Sequence, residues 1–349
     1  MALSIKPAGY VIAVTAVCAL SRCSALAKDS TEKVTQGSAE VFICKVRPSL
    51  SLSKDYLATN TSYFLHVPEQ YAPQRPHALI LAISPGPDGA ALFSPFRKAA
   101  QKHGVIFACP HLAGNETPAD KRGQMAVDTL ADVRSKFNID PERIYVAGFS
   151  GGGRMSTGMV AAFPGCFAGQ IAMGGVYFAP DPAILSKLKT KLGHYLFAGE
   201  KCFNRPESER ANADFAKAGI PHDLLIGMGQ GHALPTPEQG LKMYEWFVAR
   251  YEQRALEALQ AKCAASRELT GAPELLAGAG TAPSRKELRE KSAREALTQV
   301  LALENADCFD AVVKACALCA KEFSDTACRE LFVAAAARMA AKQKAGETP

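Results

Sequence analysis

Residues 143–153 read RIYVAGFSGGG, and this stretch decides the fold that the sequence predicts. Its first half, residues 144–147, is a short apolar run rich in β-forming residues, which predicts a buried strand. Residues 148–152 then match the pattern G-x-S-x-G, and residues 154–162 are compatible with a helix. A strand, a glycine-flanked Ser150 and a helix in this order predict a tight strand-to-helix turn with the serine at its tip.

The predicted turn would present the hydroxyl of Ser150 at the carboxyl end of a parallel sheet. Glycines are needed there because a Cβ beside the serine would collide with the adjacent strand or helix. The backbone amide of Gly151 would point at the atom that the hydroxyl attacks, so Gly151 is the first candidate oxyanion donor. The alternative is an ordinary glycine-rich turn without a reactive serine.

Residues 1–27 have the features of a secretory signal peptide. Lys6 supplies a positive start, and VIAVTAVCAL at residues 11–20 is an apolar core too short to span a membrane. Ala25-Leu26-Ala27 fits the small-x-small cleavage rule. We therefore expect a mature chain that begins at Lys28 and is secreted or periplasmic.

Charge and hydropathy exclude two classes of partner. Loss of the signal removes Lys6 and Arg22 and lowers the formal net charge of the chain from +6 to +4. This charge is dispersed, with no basic run interleaved with aromatic residues, so we expect no nucleic-acid binding. No other run is apolar enough to span a membrane, so we expect no membrane span once the signal is removed.

Strand-like and helix-like patterns alternate over most of the chain. The clearest strand-like runs are residues 62–67, 78–84, 105–109, 144–147, 168–173, 194–198 and 222–226. Helical patterns of roughly 10–20 residues separate most of them, which predicts an α/β domain over residues 28–259 with a parallel-type sheet between two layers of helices. In such sheets the reactive groups gather outside the carboxyl ends of the strands.

The last quarter of the chain has a different composition. Residues 260–283 are predicted to be a linker, because residues 270–283 are rich in Gly, Ala and Pro. Residues 284–349 are rich in alanine, which favours helix, and predict a small all-helical C-terminal extension.

Cysteines are concentrated in this C-terminal part. Nine cysteines remain after the signal, and in an exported protein disulfides are the default expectation. We expect at least two linkages within the helical extension and its flank, and no metal site. Zinc bound by cysteines alone is the alternative, although residues 233–349 contain no histidine. The five cysteines concerned are Cys263, Cys308, Cys316, Cys319 and Cys328.

Four segments, in order along the chain, resemble secreted serine esterases of the α/β-hydrolase family, a group that includes feruloyl esterases and polyhydroxybutyrate depolymerases. They are YFLHVP at 63–68, DPERIYVAGFSGGG at 140–153, Phe163-Pro164 and GQGHALP at 229–235. The resemblance covers about residues 60–250 and leaves the C-terminal extension out. It implies ester hydrolysis through an acyl-serine and no cofactor.

The resemblance also implies a histidine base and a carboxylate that orients it. His232 lies in a glycine-rich loop after the last strand, in the order serine then histidine that the fold uses, and is the candidate base. The position implied for the acid, three residues after Gly199, holds Cys202. Glu200 and Asp181 are the candidate substitutes, and the remaining alternative is that no acid serves.

The second oxyanion donor departs from the family pattern as well. Where the resemblance implies His-Gly, the chain reads Ser-Pro-Gly-Pro-Asp-Gly at residues 84–89. Proline has no amide to donate, so Gly86, Asp88 or Gly89 must supply the donor beside Gly151. His111, which follows the predicted strand that ends at Cys109, is a candidate for the lining of the cleft.

Two hypotheses for function follow. The first is an exported serine hydrolase in which Ser150 attacks a small-molecule or polymer ester with His232 as base. The second is a catalytically weak or inactive binding or scaffold protein on the same fold, suggested by Cys202, the altered oxyanion loop and the extra helices. The sequence leaves the oligomeric state open.

Overall fold

The structure is a computed structural model, and it describes residues 37, 39–44, 61–177, 182–271 and 285–344. The predicted signal peptide and Asp181 lie outside these residues. The backbone divides into two compact units, residues 1–247 and residues 248–349. The predicted division into residues 28–259, 260–283 and 284–349 thus remains a prediction in its details.

The first unit is built on one eight-stranded sheet. Its strands are β1 (Ala39–Ile43), β2 (Ser62–His66), β3 (His77–Ile83), β4 (Ile106–Pro110), β5 (Ile139–Phe149), β6 (Gly169–Met173), β7 (Gly193–Gly199) and β8 (His222–Gly227). Their order across the sheet is β1-β2-β4-β3-β5-β6-β7-β8. The β1–β2 and β2–β4 pairs are antiparallel, and every other pair is parallel.

Burial explains why the central strands carry so few polar residues. Every residue of β3, β4, β6 and β7 is buried. Such strands need apolar side chains on both faces because helices cover both sides of a parallel sheet. The predicted α/β-hydrolase sheet is therefore confirmed, and its two antiparallel strands lie at one edge.

The helices of the described residues follow the strands in chain order. They are α1 (Arg97–His103), α2 (Ala119–Lys136), α3 (Gly151–Ala162), α4 (Pro182–Leu185), α5 (Arg205–Lys217), α6 (Pro237–Gly271), α7 (Arg285–Asn305), α8 (Phe309–Glu322) and α9 (Arg329–Lys344). Helix α6 continues beyond residue 259, so residues 260–271 of the predicted linker are helical. Residues 272–283, the rest of that linker, lie outside the described residues.

The second unit has a hydrophobic core of its own. Phe309, Phe323 and Phe332 are buried in it together with Leu259 and Val300. The five C-terminal cysteines belong to the same core. This all-helical unit agrees with the alanine-rich composition of the sequence, in which small side chains allow helices to approach closely.

Candidate active site

Ser150 occupies the tight turn that the sequence predicts, between the end of β5 and the first residue of α3. Its backbone has φ 54° and ψ −120°, a conformation that side-chain-bearing residues rarely adopt. The amide of Ser150 donates to the carbonyl oxygen of Met173 at 2.7 Å, which ties the turn to β6. A strained backbone held in this way is typical of a functional site.

The neighbouring glycines are required by close packing. A Cβ at Gly148 would lie 2.1 Å from the carbonyl oxygen of Gly152. A Cβ at Gly152 would lie 1.8 Å from the carbonyl oxygen of Ile83, at the end of β3. Real Cβ atoms do not approach so closely, so the turn exists only because glycine occupies both positions.

His232 lies in the loop between β8 and α6 and contacts Ser150 directly. Its Nε2 atom is 3.0 Å from Oγ of Ser150, a hydrogen-bonding distance. Its ring lies between two phenylalanines, with centroids 4.8 Å from Phe149 and 4.2 Å from Phe203. Burial, and after it the charge of Arg154, lowers the pKa of His232 below its ordinary value of 6.5. The lowered pKa favours the neutral form of the imidazole.

Cys202 occupies the third position of the constellation. Its Sγ atom lies 3.1 Å from Nδ1 of His232, on the side of the ring away from Ser150. The residue is buried, at 5% exposure, in the turn after β7. The sequence identified Cys202 at the acid position but favoured Glu200, and after it Asp181, because a thiol is not an obvious substitute for a carboxylate.

The chemistry at Nδ1 depends on which group holds the proton. A thiol that donates to Nδ1 favours the tautomer with its proton on Nε2, and that tautomer cannot accept the proton of Ser150. A thiolate accepts from Nδ1–H instead and leaves Nε2 free to act as base. It also offsets the positive charge that the ring acquires. A thiol and a thiolate at this position thus favour opposite tautomers of His232.

The structure places Glu200 away from the imidazole. Its carboxylate accepts a hydrogen bond from the amide of Gly229 at 2.7 Å, and its backbone carbonyl accepts one from Arg205 at 3.2 Å. The first contact joins the loops after β7 and β8, and the second joins the loop after β7 to the first residue of α5. Asp181, the other candidate acid, lies outside the described residues, so its role stays a prediction.

The oxyanion loop of residues 84–89 is held by its own side chains. The amide of Gly86 donates to Oγ of Ser84 at 3.1 Å. The amide of Gly89 donates to Nδ1 of His111 at 3.2 Å, and the Asp88 carboxylate accepts from the Ala90 amide at 2.8 Å. His111 thus braces this loop. Gly151, by contrast, begins α3, so its amide lies at the positive end of a helix dipole.

A polar bridge supports the loop after β6, next to the histidine. Glu207, in the first turn of α5, accepts from the amides of Val176 and Tyr177 at 2.5 and 2.7 Å. It also forms an ion pair with Arg154 of α3. Nothing in the local sequence of α5 identifies this bridge, because its partners lie 30 to 53 residues away in the chain.

The described residues contain neither a metal site nor a membrane-spanning helix. No group of three or more His, Cys, Asp or Glu side chains is arranged to hold a metal ion there. Within the same residues, no helix combines the length and apolar character that a membrane crossing needs.

Comparisons with known proteins give esterases and other hydrolases. No family model matches the sequence. Acetylxylan esterase A from Emericella nidulans is 28% identical over 133 residues, which cover 34% of this chain and 43% of that protein. The match therefore spans less than half the length of the curated relative.

Solved structures of the same kind are similar to the chain. S-formylglutathione hydrolase from Staphylococcus aureus aligns with a TM-score of 0.45 and 10% identity, covering 62% of this chain and 98% of that one. A mutant of the feruloyl esterase module from Clostridium thermocellum, complexed with sinapinate, aligns with a TM-score of 0.44 and 12% identity. The alignment covers 61% of this chain and 86% of that one. A feruloyl esterase module, of the kind that the sequence resemblance names, is thus among the proteins similar to this chain.

Proposed function

We propose that this protein is a serine hydrolase that cleaves carboxylic esters. The observation that carries the proposal is the 3.0 Å contact between Nε2 of His232 and Oγ of Ser150, on a turn that holds the serine in a strained backbone conformation. A serine hydroxyl is a weak nucleophile at neutral pH and needs a neighbouring base. The imidazole is in place to supply it.

The reaction would pass through an acyl-serine. Ser150 attacks the ester carbonyl while Nε2 of His232 takes its proton, and the amide of Gly151 donates to the oxyanion. The imidazolium then protonates the leaving alcohol. Water, deprotonated by His232, attacks the acyl-serine and releases the carboxylic acid with the serine restored.

The similar proteins support an ester of a small acyl group or a hydroxycinnamate as substrate. The curated relative is an acetylxylan esterase, and one solved neighbour is a feruloyl esterase module with sinapinate bound. We extend the proposal to export through the signal peptide at residues 1–27, which places the enzyme with extracellular or periplasmic esters. Export also supports disulfide formation in the mature chain.

A fluorophosphonate probe and short-chain nitrophenyl esters test the proposal. We expect the purified mature protein to take the label and to hydrolyse an ester, and Ser150→Ala to lose both while it unfolds at nearly the same temperature. A small hydroxyl contributes little to packing, so the variant separates chemistry from stability. Ester turnover that survives in Ser150→Ala would place the nucleophile elsewhere.

A second candidate is a binding or scaffold protein whose active site is catalytically weak or inactive. The observation that favours it is Cys202 at Nδ1 of His232, because a protonated thiol there selects the wrong tautomer. This candidate predicts no labelling of Ser150 and no turnover in the purified protein. The same two assays therefore decide between the candidates.

A further inference from the structure

The amides that the sequence offers as second oxyanion donors are mostly engaged. Gly86 donates to the side chain of Ser84 and Gly89 donates to that of His111. The intervening prolines have no amide at all. An ester oxyanion normally receives two or more donors, so a group outside this loop must be considered.

Asn115, in the loop after β4, is held firmly against that segment. Its backbone amide donates to the carbonyl oxygen of Pro85 at 2.8 Å. Asn115 lies in a turn that is closed by a hydrogen bond of 3.0 Å from the Thr117 amide to the carbonyl oxygen of Gly114. Gly114 packs so closely that a Cβ there would lie 2.8 Å from the carbonyl carbon of Gly86. The position of Asn115 is therefore fixed before any ligand binds.

The carboxamide of Asn115 lies against Gly151, the residue whose amide is the first proposed oxyanion donor. A Cβ at Gly151 would be 2.0 Å from Oδ1, 2.8 Å from Cγ and 3.1 Å from Nδ2 of Asn115. Within the described part of the chain this side chain makes no hydrogen bond, so the carboxamide can rotate and turn either end toward Gly151. Glycine at position 151 thus leaves the space that the carboxamide fills.

We propose that the Asn115 side chain is a catalytic residue, whose Nδ2 group donates to the ester oxyanion together with the amide of Gly151. This inference rests on the proposed esterase function and names a residue for its transition state. A side-chain amide is a known kind of oxyanion donor, and the fixed backbone of Asn115 leaves only a rotation of the carboxamide to bring Nδ2 to the oxyanion. The prolines in the neighbouring loop then serve to fix the turn that carries Asn115.

Asn115→Asp and Asn115→Ala test the inference, with Glu116→Ala as the control in the same exposed turn. Asp keeps the shape of the side chain and its fit to a turn but removes the donor. We expect both Asn115 variants to lower kcat/KM for a nitrophenyl ester by about 10²–10³-fold, chiefly through kcat. Inhibition by a trifluoromethyl ketone, whose hemiketal oxygen occupies the oxyanion position, should weaken by a similar factor. Glu116→Ala should match the wild type in both assays.

The outcomes separate this inference from the function on which it rests. If Ser150→Ala abolishes turnover but the Asn115 variants keep wild-type kcat/KM and wild-type inhibition, Asn115 is not a donor and the Asp88 amide becomes the alternative. A loss of kcat/KM in which the inhibitor still binds normally would also overturn it. If the wild type neither hydrolyses esters nor takes the fluorophosphonate label, the proposed function itself fails and this inference fails with it.

Discussion

The sulfur of Cys202, 3.1 Å from Nδ1 of His232, stands where a carboxylate would orient the imidazole. A carboxylate accepts from Nδ1–H in every protonation state that matters near neutral pH, whereas a thiol can donate and reverse the tautomer. We expect Cys202→Asp to raise kcat, by up to about 10⁴-fold, which is the loss that follows replacement of a triad aspartate by its amide. Steady-state kinetics on a nitrophenyl ester measure the gain.

Glu200→Gln is the matched control for this change. Because the Glu200 carboxylate binds the Gly229 amide and not the imidazole, the variant should keep wild-type kcat. A severe loss in Glu200→Gln, with no gain in Cys202→Asp, would instead make Glu200 the acting acid. If Asp181 serves, Asp181→Asn is the damaging change.

Phe203 covers one face of His232 while its own side chain remains 73% exposed. Burial lowers the pKa of His232, and catalysis needs the neutral imidazole, so the acid limb of kcat/KM should have its midpoint below pH 6.5. Phe203→Ala lets water reach the ring, raises its pKa toward 6.5 and should move the midpoint to higher pH. The equally exposed Met228 provides the control Met228→Ala. An unchanged or lower midpoint in Phe203→Ala would contradict this account.

Helix α5 holds the loop after β6 through the carboxylate of Glu207. Glu207→Ala leaves the Arg154 charge and the two loop amides without their acceptor. We expect it to reduce the free energy of unfolding by about 2–4 kcal/mol, read from urea denaturation. Glu209→Ala, two residues further along the same helix, removes only the solvent-exposed ion pair with Arg205. It should change the free energy of unfolding by less than about 1 kcal/mol. Equal effects of the two variants would refute the structural role of Glu207.

The two compact units raise the question of what stabilises the smaller one. The nine cysteines in the described part of the chain form no disulfide, yet the thiols of Cys263 on α6 and Cys319 on α8 are hydrogen-bonded to each other. We expect this pair to form a disulfide in the exported protein, found by peptide mapping without reductant. Closing a loop of roughly 55 residues should stabilise the unit by about 4 kcal/mol on the chain-entropy model.

Cys316 offers the control for the disulfide. It is buried in the same core, and Cys316→Ser should leave the linkage of Cys263 with Cys319 in place. Cys263→Ser should remove it and make the melting temperature insensitive to reductant. Free thiols at both Cys263 and Cys319 in exported protein would rule this linkage out. Only Cys308, Cys316 and Cys328 would then remain, and three cysteines allow at most one of the two disulfides expected among the five C-terminal cysteines.

The sequence alone determined the features that depend on short stretches of chain. The strand and helix around Ser150 follow from an apolar run and from glycines at fixed spacing, and the alternation of such segments predicts the sheet. The order serine then histidine, together with a position in the glycine-rich loop after the last strand, selects His232 among seven histidines. Each of these inferences uses residues close in sequence or an order that the fold imposes.

Only the tertiary structure decided which side chains meet at the site. Cys202 and Glu200 leave the same strand two residues apart, and the turn after β7 directs one to the imidazole and the other to Gly229. The carboxamide of Asn115 reaches Gly151 because two loops pack without an intervening side chain. Such contacts depend on side-chain direction and on the approach of distant loops to within a few ångströms, and neither has a local signal in the sequence.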